Sequence, residues 1–90
     1  MRVLVAEDNP NSRQLVKDIL ESIGYEPVLA VDGPSAVQAA QAQPPDLIIL
    51  DVNMPGMSGF DVLAIIKNDE NLAHIPVLML TALADIDNRV

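Results

Sequence analysis

The 90-residue chain has no cysteine, which removes both disulfide staples and thiolate chemistry. Aromatic side chains are nearly missing too: Tyr25 and Phe60 are the only two, so aliphatic residues must fill the interior. Positive charge is scarce. Five lysines and arginines stand against thirteen aspartates and glutamates, a formal net charge of −8. That balance argues against nucleic acid or an anionic membrane as a direct partner and suits a cation or a basic protein surface. Long apolar runs are lacking as well. Val3 to Ala6, the first such run, is too short for a signal peptide or a membrane span, so a cytoplasmic location is expected. Half of the residues are hydrophobic, which is enough for a core, and the length allows one domain with little margin of stability.

The residues that are present are organised around Leu47-Ile48-Ile49-Leu50-Asp51. Four consecutive large apolar residues predict a strand covered on both faces, the kind found inside a parallel sheet. The strand nevertheless ends on a carboxylate, and Pro55-Gly56 make the segment after it a loop. Open α/β sheets take their ligands at the carboxyl ends of the strands, which puts Asp51 where chemistry is done. Alone, an aspartate there serves equally well to brace its own loop or cap the next helix.

The rest of the chain alternates around that strand. Val3 to Ala6 predicts a short buried strand ending in Glu7-Asp8. Asn9-Pro10 reads as an N-cap followed by proline at the first helical position. Leu15, Val16, Ile19, Leu20 and Ile23 then predict one apolar face of a helix over 10–23, stopped by Gly24. Pro27 to Val31 predicts a second strand, placed at an edge by its proline. Asp32-Gly33-Pro34 opens a helix over 34–42 with a small-residue face, and Pro44-Pro45 ends it. Ser58 and Asp61 have the spacing of a capping box, with Phe60, Leu63 and Ile66 as the apolar positions of a third helix. Asn68 to His74 reads as a polar loop. Val77 to Leu80 is a fourth strand, buried by composition and ending in Thr81, and Asp85 opens another helix. This βαβαβαβ order predicts a doubly wound parallel sheet with helices on both faces. Met54 and Met57 are expected to pack the loop, and His74 to lie at the surface.

Three of the four strands thus end in polar residues that a strand does not need: Glu7-Asp8, Asp51 and Thr81. In a parallel sheet these ends share one edge. With strands one and three adjacent, the three carboxylates converge, and like charges that close demand a counter-charge. Hard oxygen ligands partly open to water are what Mg²⁺ uses when it also holds a phosphate.

Glu7-Asp8-Asn9, Leu47 to Asp51 with Met54-Pro55-Gly56 and Ser58-Gly59, and Ile75-Pro76-Val77 through Thr81-Ala82 together resemble the receiver domain of two-component response regulators. The resemblance covers all of residues 1–90 and implies a flavodoxin-like, CheY-like sheet of order 2-1-3-4. It also implies that Asp51 accepts a phosphoryl group from a histidine kinase or a histidine phosphotransfer protein. By the same resemblance Asp8, Asp51 and the backbone carbonyl of Asn53 would ligate Mg²⁺, and Glu7 would act mainly through bound water. Thr81 would contact the phosphoryl oxygen and move on activation. Such a domain is not an enzyme in its own right: it assists its own phosphorylation and dephosphorylation and switches an attached or partner output.

The sequence departs from the family at its end, where the fifth strand with its lysine and the fifth helix are missing; Arg13, Lys17 and Lys67 do not match that lysine. The receiver is therefore expected to be incomplete at its C-terminus. The fourth strand then becomes an edge, and self-association into a homodimer through it is expected. Two other functions fit parts of the pattern. One is a receiver-like interaction module that works without phosphorylation. The other is a haloacid-dehalogenase-type phosphatase, which needs an acid two residues after its nucleophile, where this chain has Asn53.

Overall fold

The computed structural model describes residues 1–80. The first strand, β1 (Arg2–Ala6), is central because Val3, Leu4, Val5 and Ala6 are apolar on both faces, and all four are buried. It is followed by α1 (Pro10–Ser22), β2 (Glu26–Ala30), α2 (Gly33–Ala42), β3 (Leu47–Asp51), α3 (Gly59–Asn68) and β4 (Val77–Leu80). The four strands pair in parallel in the order β2-β1-β3-β4, as expected. Pro27 sits in β2 at one edge, where its missing N–H costs no ladder bond.

Strand alternation sends Leu4, Ala6, Ile48 and Leu50 to one face of the sheet, where Ala36 and Ala40 of α2 and Val62 and Ile66 of α3 cover them. Val3, Val5 and Ile49 face the other way and meet Leu20 of α1. Each large aliphatic residue withdrawn from water in this way contributes about 1.5–3 kcal/mol. Alanines on α2 let that helix approach the sheet and α3 closely.

The helix starts are built from local side-chain bonds. Asn9 Oδ1 accepts from the N–H groups of Asn11 and Ser12 at 2.9 and 3.2 Å, and Pro10 takes the first helical position. Asp32 and Ser35 form a capping box at α2, and Ser58 and Asp61 form the expected one at α3. Gly24, at φ +84°, gives the left-handed turn after α1.

Several expectations need correction. The apolar face of α1 is narrower than its sequence implies: Leu20 is buried and Val16 packs beside it, but Leu15, Ile19 and Ile23 are 61, 52 and 57% exposed. Successive residues turn about 100° around a helix, so Leu15 lies about 100° from Val16 and Ile19 about 100° from Leu20, turned off the row that faces the sheet, while Ile23 is the C-cap beyond the last helical residue. On α3, Val62 and Ile66 are buried while Phe60 is exposed. β4 is only half-covered: its neighbour is β3 alone among the described residues, and Leu78 is 52% exposed. The loop before β4 holds more core than its polarity suggests, since Leu72 and Ile75 are buried. The segment expected to open with Asp85 lies outside the described residues.

Candidate functional site

The register brings the acids together. β1 and β3 pair Val3 with Leu47 through Ala6 with Leu50, so one step further Glu7 stands beside Asp51. β4 runs on the other side of β3, with Leu80 opposite Asp51. Carboxylate oxygens of Glu7, Asp8 and Asp51 all lie within 4.8 Å of one another at this C-terminal edge of the sheet. The convergence expected from three strand ends is therefore present for the two ends that carry acids. Thr81 lies outside the described residues.

Each side chain is held by its surroundings. Glu7 is buried; its N–H donates to the carbonyl of Ala30 at 3.1 Å, and its Oε1 accepts from the Asn9 N–H at 3.0 Å. Asp51 is partly exposed, and the exposed Asn53 donates its N–H to Asp51 Oδ1 at 3.3 Å. After Asp51 the chain is tied on both sides, since the Val52 N–H donates to the Leu80 carbonyl and the Val52 carbonyl accepts from the Gly59 N–H, at 3.0 and 3.1 Å. Met54 is buried and Met57 packs against the same core, as expected of loop packing. His74, expected at the surface, is exposed. Gly33 gives Met57 its space: a Cβ there would come within 2.8–2.9 Å of the methionine side chain.

The electrostatics arise from this crowding. Burial raises the Glu7 carboxyl most; the Asn9 N–H pulls it down, while the charge of Asp51 and hydrogen bonds shared with Asp51 and Asp8 push it up again, to about 7. Among the described residues the only ion pair is Lys17–Glu21 on α1, at 3.1 Å, so no described lysine or arginine pairs with the three carboxylates. Lys67 instead donates to the carbonyls of Ala73 and Ile75. Three hard oxygen donors, one of them buried and none neutralised by a described cation, fit a small divalent ion such as Mg²⁺. Beside its neighbouring acids, Asp51 offers a nucleophilic oxygen at an accessible edge.

One contact was not evident from the sequence. Arg13, on α1, donates Nη1 to the carbonyls of Glu7 and Asp8, at 2.9 and 3.3 Å. The available signal was a cation near the start of a helix, where the dipole disfavours it.

A family profile described as the response regulator receiver domain matches residues 3–90. The polar-differentiation response regulator DivK of Brucella ovis is 40% identical over 82 residues, which cover 91% of this chain and 67% of that protein. The N-terminal domain of a response regulator receiver protein from Methanoculleus marisnigri superposes with a TM-score of 0.87 at 42% identity, covering 90% of this chain and 66% of that one. The receiver domain of a Pseudomonas aeruginosa sensor histidine kinase, described with a magnesium ion coordinated in its active site cleft, has a TM-score of 0.88 at 34% identity. It is matched over 98% of this chain and 72% of its own. The chain thus spans about two thirds of the length of the first two of these relatives.

Proposed function

This chain belongs to the response regulator receiver domain family, with the CheY-like sheet order, and we propose that it signals by accepting a phosphoryl group on Asp51. The convergence of Glu7, Asp8 and Asp51 within 4.8 Å at the end of β3 carries the proposal. A receiver domain is a signalling domain rather than a classical enzyme. Its general partners are histidine kinases and phosphotransfer proteins, and a cytoplasmic partner of that kind is the proposed donor. No helix among the described residues is long and apolar enough to cross a membrane.

In the proposed step an Asp51 carboxylate oxygen attacks phosphorus. The new bond is an acyl phosphate, the bond from phosphorus to the donor nitrogen or oxygen breaks, and the departing group keeps that electron pair, an imidazole leaving protonated to its neutral form and an acetate leaving as the anion. The Asn53 N–H, bound to Oδ1, orients the Asp51 carboxylate for this attack. Asp8, Asp51 and the Asn53 carbonyl would hold Mg²⁺, with Glu7 acting through water. That ion supplies neutralisation of the charge gathered on the phosphoryl oxygens. Glu7, buried beneath the cluster, fixes the loop through the Asn9 N–H. Thr81 is assigned to the phosphoryl oxygen from its place in the receiver motif.

The exposed Leu78, opposite Ile49 on β4, whose one neighbour among the described residues is β3, supports self-association through β4. Sedimentation at rising concentration tests this: a Leu78→Glu variant is expected to stay monomeric where the parent chain dimerises. The phosphoacceptor reading is tested by intact mass after incubation with acetyl phosphate. One phosphoryl group is expected with Mg²⁺ and none with chelator or in Asp51→Asn; labelling that survives either change contradicts the reading.

A further inference from the structure

Arg13 is the fourth residue of α1; its N–H donates to the Asn9 carbonyl at 2.9 Å. A cation so near a helix N-terminus opposes the helix dipole. Its guanidinium does not turn to the nearby carboxylates. It reaches back over the first turn and takes the carbonyl oxygens of Glu7 and Asp8, at 2.9 and 3.3 Å. These two carbonyls belong to the two peptide planes that flank the Cα of Asp8. Each plane is rigid, so holding both fixes the two soft dihedrals of Asp8 and with them the direction of its Cβ. Glu7 is already anchored by its N–H to Ala30 and its carboxylate to Asn9. Arg13 supplies the matching restraint for its neighbour.

We propose that Arg13 is a positioning residue of the acidic site, orienting the Asp8 carboxylate for a divalent cation through the Glu7 and Asp8 carbonyls. This rests on the reading of Glu7, Asp8 and Asp51 as a Mg²⁺ site. Charge and position make opposite predictions here. By charge alone, removing a cation beside the site tightens Mg²⁺ binding. By position, losing the two carbonyl bonds lets Asp8 wander and weakens it, and partners of this indirect kind change metal affinity about tenfold or more.

The experiment is Mg²⁺ titration of the chain by calorimetry, with the metal-free melting temperature measured alongside. Arg13→Ala is expected to bind Mg²⁺ about tenfold more weakly. Arg13→Gln, which keeps an N–H donor and drops the charge, is expected to recover most of that loss. Lys17→Ala, one turn further along α1, removes the same charge without touching the loop and is expected to change nothing. If Arg13→Ala does not fold, Arg13→Met, which keeps the aliphatic stem, replaces it. Unchanged or tighter binding in the variant without donors overturns the proposal, as does a Gln variant no better than Ala or Met. Wild-type chain that binds no Mg²⁺, or binding that survives Asp8→Asn, overturns the site reading itself instead.

Discussion

Gly59 is where α3 touches the end of β3, and Gly59→Ala tests whether that contact places Asp51. A Cβ at residue 59 would press on the Asp51 carbonyl oxygen far inside van der Waals distance, and would lie 3.0 Å from both the Asp51 carbonyl carbon and the Met79 methyl. The Met79 methyl ends a flexible side chain and can swing away. The Asp51 carbonyl is backbone of a strand paired on both sides, so α3 must retreat by about 1 Å to reach an ordinary C···O contact. That retreat stretches the bond from the Gly59 N–H to the Val52 carbonyl, 3.1 Å in the parent chain. Overpacking of this kind costs about 1–3 kcal/mol. Gly59 is the first residue of α3, where alanine's advantage in a helix interior returns little, so the net loss stays at about 1–3 kcal/mol. At about 4–8 °C per kcal/mol for a domain of this size, the melting temperature should fall by about 4–24 °C. Labelling by acetyl phosphate should slow as well, because the stretched Gly59–Val52 bond is one of the two that tie down the chain just after Asp51. Gly24→Ala is the control, since it strains a turn at φ +84° with open space around it and should leave labelling alone. Wild-type melting and labelling in Gly59→Ala would refute the close-contact reasoning.

Three further outcomes are expected. Ile19→Glu should change stability by no more than about 0.5 kcal/mol in urea unfolding, because Ile19 is 52% exposed; a loss of several kcal/mol would restore it to the core. Mg²⁺ at a hundred times its dissociation constant should stabilise the chain by about 2.7 kcal/mol by mass action, and Asp8→Asn should remove most of that gain in a melting experiment. Asp32 is held below the ordinary aspartate range by hydrogen bonds from Ser35, so its contribution to stability is complete above the unfolded value and is lost as pH falls through the lower folded one. In Ser35→Ala its titration, followed by carboxyl carbon NMR, should move back up; an unmoved midpoint contradicts the cause.

Much of the fold was legible because strands and caps are local signals. The two-sided apolar runs at Val3–Ala6 and Leu47–Leu50, and the cap pairs Asn9-Pro10 and Ser58/Asp61, state their structure without reference to distant residues. Burial of helix faces was less legible. Leu15, Ile19 and Ile23 have the same chemistry as Val16 and Leu20, and only the tilt of α1 over β1 and β2 decides which row is covered. Burial of the fourth strand was overstated by its composition, since Leu78 is 52% exposed, whereas its position beside β3 alone among the described residues agrees with the edge expected for it. The acidic site was legible because parallel strands put their carboxyl ends on one edge. Arg13 was not, since its role depends on a side chain folding back onto main-chain carbonyls, which no spacing rule reports.

The central claim is that Asp51 is the residue that takes the phosphoryl group. An acyl phosphate is reduced by borohydride to an alcohol, which marks the modified carboxylate permanently. Chain treated with acetyl phosphate and Mg²⁺, then with borohydride, and mapped by peptide mass spectrometry should carry the reduced side chain at Asp51 alone. Reduction at Asp8, Glu7 or any other residue with Asp51 intact would contradict it.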